Sequence, residues 1–430
     1  MPQRVLAWEG GVYCWVFSMT KQDLSSKRQF AHDHEITFDF AELFFSRTDE
    51  RGKIRAGNDV FQRISGFHWQ ELMGKPHNIV RHPEMPRAAF RLLWDRLHEN
   101  KPTGAYVKNR ASDGRQYWVY AIITPIDGGY LSVRMRPSSA LLPIVSQEYA
   151  DLLNVEKSEN LSPPQSAQRL LQRLAALGFP TYDTFMGASL TAELASRAGH
   201  MQRPPHPAVA LYGQLMSASK FLLEAASTIA DGYQRHRFVP LNLTVQASRL
   251  GDAGKAISTI SNNYEELSGQ IRLGLDRFIV ATERVSRAIH EGAFLLATSE
   301  VQDEIAAIFG REMPSPHFNH SAEASLLRQQ RNRYRRRAVT TIFDVQQEVR
   351  NFAEEVFEIK RLSAGLAAIR VMGKVEAGYL ETAVLSDLLA DLEAFQDILR
   401  RGLDDILGLN DAVKRSVSQL VIEKPVLEEL

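Results

Sequence analysis

Apolar residues in the C-terminal half recur at alternating spacings of four and three. Leu211, Leu215, Ala218, Leu222, Ala225 and Ile229 form a first run, followed by a break containing Gly232 and Pro240. Ile257, Ile260, Tyr264, Leu267, Ile271, Gly274, Phe278, Ala281 and Val285 form a second. A third is Ile342, Val345, Val349, Phe352, Val356 and Ile359, and a fourth is Leu385, Leu388, Leu392, Phe395, Leu399, Gly402, Ile406 and Leu409. Such alternation is the seam of a coiled coil or helix bundle. Gly251-Asp252-Ala253-Gly254 and the stretch from Gly373 to Gly378 interrupt the pattern. Each is predicted to turn the chain into an antiparallel hairpin, because glycine ends helices and admits tight turns. The segment Pro314–His320 then joins two similar hairpins.

The N-terminal half has a different rhythm. Phe44–Thr48 reads as a strand, with Asp49-Glu50-Arg51-Gly52 as the turn after it, and residues 58–73 read as short helices. Pro86 suits a first helical turn, ahead of helical periodicity over residues 87–99. Ala105–Arg110, Gln116–Ile126 and Tyr130–Arg136 are three strands separated by Asp113-Gly114 and Gly128-Gly129. The predicted fold is an α+β sensor-sized module followed by an all-α region of long antiparallel coiled-coil hairpins or a helix bundle. The predicted divisions are a tail at 1–37, the sensor module at 38–136 and a connector with short helices at 137–207. A first hairpin at 208–310, a linker at 311–325, a second hairpin at 326–420 and a tail at 421–430 complete the chain.

Composition narrows the function. The 51 basic residues balance the 51 acidic ones, so no global field draws the chain to nucleic acid. No run of about 18 apolar residues predicts a membrane span. A single cysteine, Cys14, forms no internal disulfide and fits the cytoplasm. Residues 6–18 are apolar but lack the basic start and small-residue cleavage site of a signal peptide; a tail, or a true start at Met19, are the readings. The chain has no P-loop, no dinucleotide glycine fingerprint, no G-x-S-x-G and no H-E-x-x-H, so no enzyme activity is expected. Arg328, Arg331, Arg333, Arg335, Arg336 and Arg337 form the densest charge run, read first as a solvated face or bundle edge and second as a surface for an acidic partner or a nucleic-acid backbone. The pairs His32/His34 and His317/His320 lack further ligands at metal-site spacing.

The module at 38–136 carries a more specific signal. Phe45-Ser46-Arg47-Thr48-Asp49, Asn58, Ser65-Gly66-Phe67 and the run from Glu71 through Pro76-His77-Asn78-Ile79-Val80-Arg81-His82-Pro83 to Pro86 resemble the PAS domain of bacterial aerotaxis receptors. Phe90, Leu93-Trp94, Val107-Lys108-Asn109-Arg110, Asp113-Gly114, Tyr117-Trp118-Val119 and Thr124-Pro125-Ile126 extend the resemblance. Glu84 stands where that family usually has aspartate, and Pro102-Thr103 where a tryptophan-bearing segment is usual. The resemblance implies FAD binding and sensing of redox state or oxygen, with Asn58, Arg81, His82, Glu84, Trp94 and Asn109 as cofactor residues. Further on, Leu241-Asn242, Val245-Gln246-Ala247-Ser248-Arg249 and Gly251–Gly254 resemble the hairpin tip of methyl-accepting chemotaxis proteins, with Gln246 in place of their glutamate. That implies a chemotaxis histidine kinase with its coupling protein as partners, contacted through Asn242, Gln246, Arg249 and Asp252, while the long heptad helices, whose apolar stripes an isolated hairpin leaves exposed, suggest a homodimer.

The residue types suit this chemistry. Phe44, Phe61, Phe67, Phe90, Trp94, Tyr117, Val119 and Ile123 offer apolar walls for a flat ring. Asn58 and Asn109 each carry a donor and an acceptor for its mixed edge, and Arg81 and His82 suit a diphosphate. Asn58 also suits the cap of the helix after it. Two other readings remain: a helical scaffold whose PAS domain is a cofactor-free dimerisation module, and a haem sensor with His82 as ligand.

Overall fold

A computed structural model describes residues 35–380 and 383–422; Cys14, His32, His34 and the rest of both termini lie outside the described residues. These residues divide into two compact units, one from the described part of Met1–Ala210 together with Glu291–Ala338, the other from Leu211–His290 with Val339–Leu430.

The first unit is built on a five-stranded antiparallel sheet. Its strands are β1 (Leu43–Asp49), β2 (Ile54–Gly57), β3 (Thr103–Arg110), β4 (Gln116–Ile126) and β5 (Gly129–Met135), in the order β2-β1-β5-β4-β3. The turn after β1 forms because Asp49 accepts hydrogen bonds from the backbone N–H groups of Arg51 and Lys53, while Gly52 takes a left-handed φ of 71°. A Cβ on Gly129 would stand 2.0 Å from the carbonyl oxygen of Thr48, so the turn into β5 needs glycine there. Short helices α1 (Asp59–Ser65) and α2 (Trp69–Leu72), a 3-10 turn (His77–Val80) and α3 (Arg87–His98) fill the crossover from β2 to β3.

Strand alternation gives the sheet two faces. Register pairs Phe44 with Arg134, Ser46 with Ser132, and Asn109 with Tyr117 on the inner face, toward α1–α3. The outer face carries Phe45, Tyr106 and Tyr120 and is covered by helices. Residues 137–207, expected as a connector, form α4 (Leu141–Ser158), α5 (Pro163–Ala176) and α6 (Tyr182–His200). A capping box between Ser162 and Gln165, with Pro163 in the first turn, starts α5. Helix α6 buries Glu193 against the sheet, where it accepts from Tyr106 OH at 2.6 Å, Ser139 Oγ at 2.6 Å and the backbone N–H groups of Ser138 and Ser139. Phe309 packs edge-on to Phe45 at 4.9 Å.

The second unit is an all-helical bundle. Helix α7 (Pro207–His236) runs through Gly232, and α8 (Val239–Arg249) starts with Pro240 in its first turn, where the missing N–H costs nothing. A 3-10 turn at Gly251–Gly254 leads into α9 (Lys255–Phe309), and Thr244 meets Ser261 at 2.8 Å across this hairpin. Helices α10 (His320–Leu380) and α11 (Ala383–Ile422) supply the other side. Arg277 pairs with Glu355 and Arg284 with Glu348, so α9 and α10 run antiparallel within one chain.

The heptad seams hold in part: Leu267 of the second run and Leu388, Gly402 and Leu409 of the fourth are only half-buried, with Ser268, Leu389, Leu403 and Asn410 buried beside them, and the side chain of Leu385 lies outside the described residues. All six residues of the third run are buried. In the first, Leu215, Leu222 and Ile229 are buried, but the alternate positions belong to Tyr212, Ser219 and Ala226, one residue beyond Leu211, Ala218 and Ala225. A bundle helix faces two neighbours, so its buried stripe is wider than a coiled-coil seam and its centre is set by packing. The turn expected at Gly373–Gly378 is absent, since α10 continues to Leu380. Gly373 is instead a crossing point, where a Cβ would come within 2.9 Å of Leu389. The arginine run lies along α10 with part of it paired: Arg331 to Asp303, Arg335 to Glu300 and Arg337 to Glu291.

Candidate functional site

The inner face of the sheet is polar where a closed core would be apolar. Arg134 is only 6% exposed. Its guanidinium donates to Ser46 Oγ and to Nε2 of His77, each at 2.9 Å, and lies 5.8 and 6.0 Å from the ring centres of Phe44 and Phe61. No carboxylate pairs with it among the described residues. Burial pulls its pKa down to about 10. The imidazole of His77 stacks on Phe61, and burial together with the Arg134 charge holds its pKa well below the usual histidine value. It is therefore neutral, with Nε2 as an acceptor.

Three further groups on this face have no hydrogen-bond partner among the described residues: Nδ2 of Asn109, the hydroxyl of Tyr117 and Oγ of Ser132. Their residues are 3%, 0% and 6% exposed. An unmet buried polar group costs about 1–3 kcal/mol, so each of the three is a point where a polar partner would be favourable; they share the face with Arg134 but spread along it, Asn109 lying opposite Tyr117 and Ser132 six residues farther along the β3 register.

The predicted residues fall into three places. Arg81 and Asn109 face each other in an isolated backbone bridge, and His82 N–H donates to Lys108 O at 3.3 Å, so Arg81, His82 and Asn109 gather along β3. Arg81 lies 3.7 Å above the ring of Phe90 and feels the charge of Glu156. Glu84 is exposed and pairs with Lys108, and its backbone N–H donates to Nδ1 of His82. Trp94 stands apart on α3, edge-on to Tyr130 at 5.4 Å. Asn58 is committed elsewhere. Its Oδ1 accepts from Phe45 N–H, and its Nδ2 donates to Leu43 O and to Glu312, so it neither caps α1 nor turns to the inner face.

Sequence reasoning passed over Arg134, Ser132 and His77 as site residues. The signal was present: alternation in Tyr130-Leu131-Ser132-Val133-Arg134 sets Ser132 and Arg134 on one face, opposite Leu131 and Val133.

Of the positions expected to meet a kinase, Asn242, Arg249 and Asp252 are exposed and Gln246 is half-buried, with Asp252 paired to Lys255. His320 stacks on Phe309 at 4.0 Å. Among the described residues no three His, Cys, Asp or Glu side chains gather as a metal site, and no helix is long and apolar enough to cross a membrane.

The sheet order, the helical crossover and the polar inner face define a sensor domain of the PAS fold, and residues 55–134 match that family. The first unit holds a PAS domain of the aerotaxis-receptor type, and an all-helical region follows it. Over 112 residues the chain is 42% identical to the aerotaxis receptor of Escherichia coli, covering 25% of this chain and 22% of that one. It is 29% identical over 104 residues to the biofilm dispersion protein BdlA of Pseudomonas aeruginosa, covering 24% and 25%. The chain thus spans a quarter or less of the curated relatives it matches. A light-state structure of the Aureochrome1 LOV photoreceptor is 20% identical, covering 26% of this chain and 90% of that one, with a TM-score of 0.21.

Proposed function

We propose that this chain is a cytoplasmic redox or oxygen sensor whose PAS domain binds FAD and whose helical region passes the signal to a protein partner. The observation that carries this reading is that Asn109, Tyr117 and Ser132 on the inner face have polar groups without a partner among the described residues, on the same face as an Arg134 guanidinium that pairs with no carboxylate among them. The amide of Asn109, opposite Tyr117 in the register, suits the donor and acceptor edge of a flavin ring, and Arg81 and His82, gathered along β3, suit its diphosphate. Bound there, FAD supplies a ring that takes up electrons and a proton, and an amide or hydroxyl beside it must then change its hydrogen bond. The likeness to a protein named as an aerotaxis receptor supports oxygen or redox as the signal.

On the output side, Asn242, Gln246, Arg249 and Asp252 share the hairpin tip with exposed Phe238, Leu241 and Val245. A charged and apolar patch of this kind suits a protein partner such as a chemotaxis kinase and its coupling protein, and a homodimer covers further exposed apolar residues of the bundle.

One observation favours a second reading, a cofactor-free PAS module. Phe44, Phe61 and His77 already stack across the inner face at ring separations of 6.0 and 5.8 Å, so a tricyclic ring requires them to part. Extraction of the small molecule bound to purified protein separates the two. FAD in the extract supports the sensor, and substituting Arg81 or Asn109 by alanine then lowers its occupancy. Colourless protein that takes up no added FAD sinks it.

A further inference from the structure

The arginine run on α10 is balanced only in part. Arg331, Arg335 and Arg337 pair with Asp303, Glu300 and Glu291 of α9. Arg333 is half-buried and pairs with no carboxylate among the described residues. It lines a cavity of about 200 Å³ within the first unit, between α10 and the turn that joins β4 to β5. Leu326, Gln329, Gln330, Arg333 and Arg336 form one wall, because residues three and four apart lie together on a helix face. Asp127, on the turn, forms the other. Asp127 and Arg333 thus line the same space, yet no ion pair joins them. Gln330 is 4% exposed, and its Oε1 is buried with no hydrogen-bond partner among the described residues. A buried acceptor left bare is costly, so a molecule that brings a donor is favoured there.

The two walls call for opposite partners. A guanidinium donates and pairs well with a carboxylate, whereas a carboxylate and an amide oxygen only accept. A plain anion would meet Asp127 as a like charge, and a plain cation would meet Arg333 as one. A molecule that carries both charges satisfies both walls. A cavity of about 150 Å³ holds benzene, so this one holds a molecule the size of a small amino acid. We propose that the cavity is a binding site for a small zwitterion, an α-amino acid, with its carboxylate on Arg333 and its ammonium on Asp127 and Gln330 Oε1. Arg336 adds positive charge beside the carboxylate. The site uses no residue of the sheet's inner face, so it stands apart from the flavin reading. Its occupant ties the β4–β5 turn of the PAS domain to α10 and gives that helix a second input.

The test is calorimetric titration of the full chain with each standard amino acid, and with propionate, propylamine and inorganic phosphate as probes of a single charge sign. At least one amino acid should bind saturably, and roughly tenfold or more tighter than any single-sign probe. Loss of a charge-assisted hydrogen bond predicts that Arg333→Met and Asp127→Asn each weaken that amino acid by roughly tenfold or more. Asp127→Asn should bind propionate no more weakly than wild type, because the like charge is gone. Gln330→Met keeps the shape of the side chain and removes the bare acceptor. It should weaken the amino acid, yet melt no lower than wild type when none is bound. Failure of every amino acid to bind, or a single-sign probe that binds as tightly, would overturn the assignment. So would wild-type affinity in either charge variant, or a lower melting temperature for free Gln330→Met, which would show that Oε1 already has its donor.

Discussion

Nη2 of Arg134 lies 2.9 Å from Nε2 of His77, nitrogen to nitrogen, in the interior of the PAS domain. A guanidinium only donates, so the imidazole must present a bare nitrogen to it. Protonating His77 would break this contact and set two cations side by side. The pair therefore fixes the tautomer of one residue through the charge of the other.

Acid should destabilise this domain through His77. Burial first, and then Arg134, depress its folded pKa far below 6.5. Below about pH 6.5 the unfolded chain binds a proton that the folded one refuses, so stability falls as pH drops from there toward the folded value. The slope from one such group is at most about 1.4 kcal/mol per pH unit. Thermal melts at pH 7.5 and 5.5 should show the fall, and His77→Gln should flatten it. Equal pH dependence in both proteins would contradict the assignment.

Glu312 works in the opposite direction. Its carboxyl reaches Asn58 Nδ2 and Asp59 N–H at 3.1 Å each, yet burial outweighs these bonds and raises its pKa above 4.5. The folded state then holds a proton longer than the unfolded one, so this group's contribution is full below pH 4.5 and is lost as pH rises through the folded value. Glu312→Gln, which keeps an acceptor for Asp59 N–H, should melt at or above the wild-type temperature at pH 7. A clear drop would show that the ionised carboxylate is needed.

Glu193 fastens α6 to the outer face of the sheet. Its carboxylate is fully buried and takes four donors from Tyr106, Ser138 and Ser139. Glu193→Ala leaves them unmet and should cost on the order of 3–5 kcal/mol. Tyr106→Phe removes one donor and should cost about 1 kcal/mol. Chemical denaturation of the three proteins gives the order; a Glu193→Ala cost no larger than that of Tyr106→Phe would mean the network relaxes around the gap.

In the bundle, Gly402 is a crossing point. A Cβ there would meet Ile229 at 2.6 Å. Gly402→Val should therefore loosen the contact between α7 and α11, although valine in an exposed helix costs less than glycine. Phe352→Ala, which empties a ring stacked 4.9 Å from Phe278, should cost about 3–5 kcal/mol. Circular dichroism melts read both. A Gly402→Val protein as stable as wild type would show that α7 and α11 part to admit the side chain at no cost.

Much of the architecture was legible because it rests on local periodicity. Strand β4 falls at Gln116–Ile126, as alternation and the flanking glycine turns predict, and the third heptad run is buried throughout. Arg81, His82 and Asn109 were brought together by a motif read along the chain. Asn58 was not legible, because its amide is claimed by Leu43, Phe45 and Glu312, and the last lies 254 residues away in sequence.

By itself the sequence determined where most helices and strands form (though not where α10 ends), which strand residues share a face, and that the front module is a PAS sensor domain. The first two follow from periods of 2 and 3.6 residues and from short-range turn chemistry, which act over a few positions; the third rests on the resemblance of the motifs in 38–136 to a known family. Only the tertiary structure decided which polar groups are left without partners. Whether Arg134 is balanced, or Asn58 is free, depends on charges and amides from distant segments, and long-range packing alone sets that proximity.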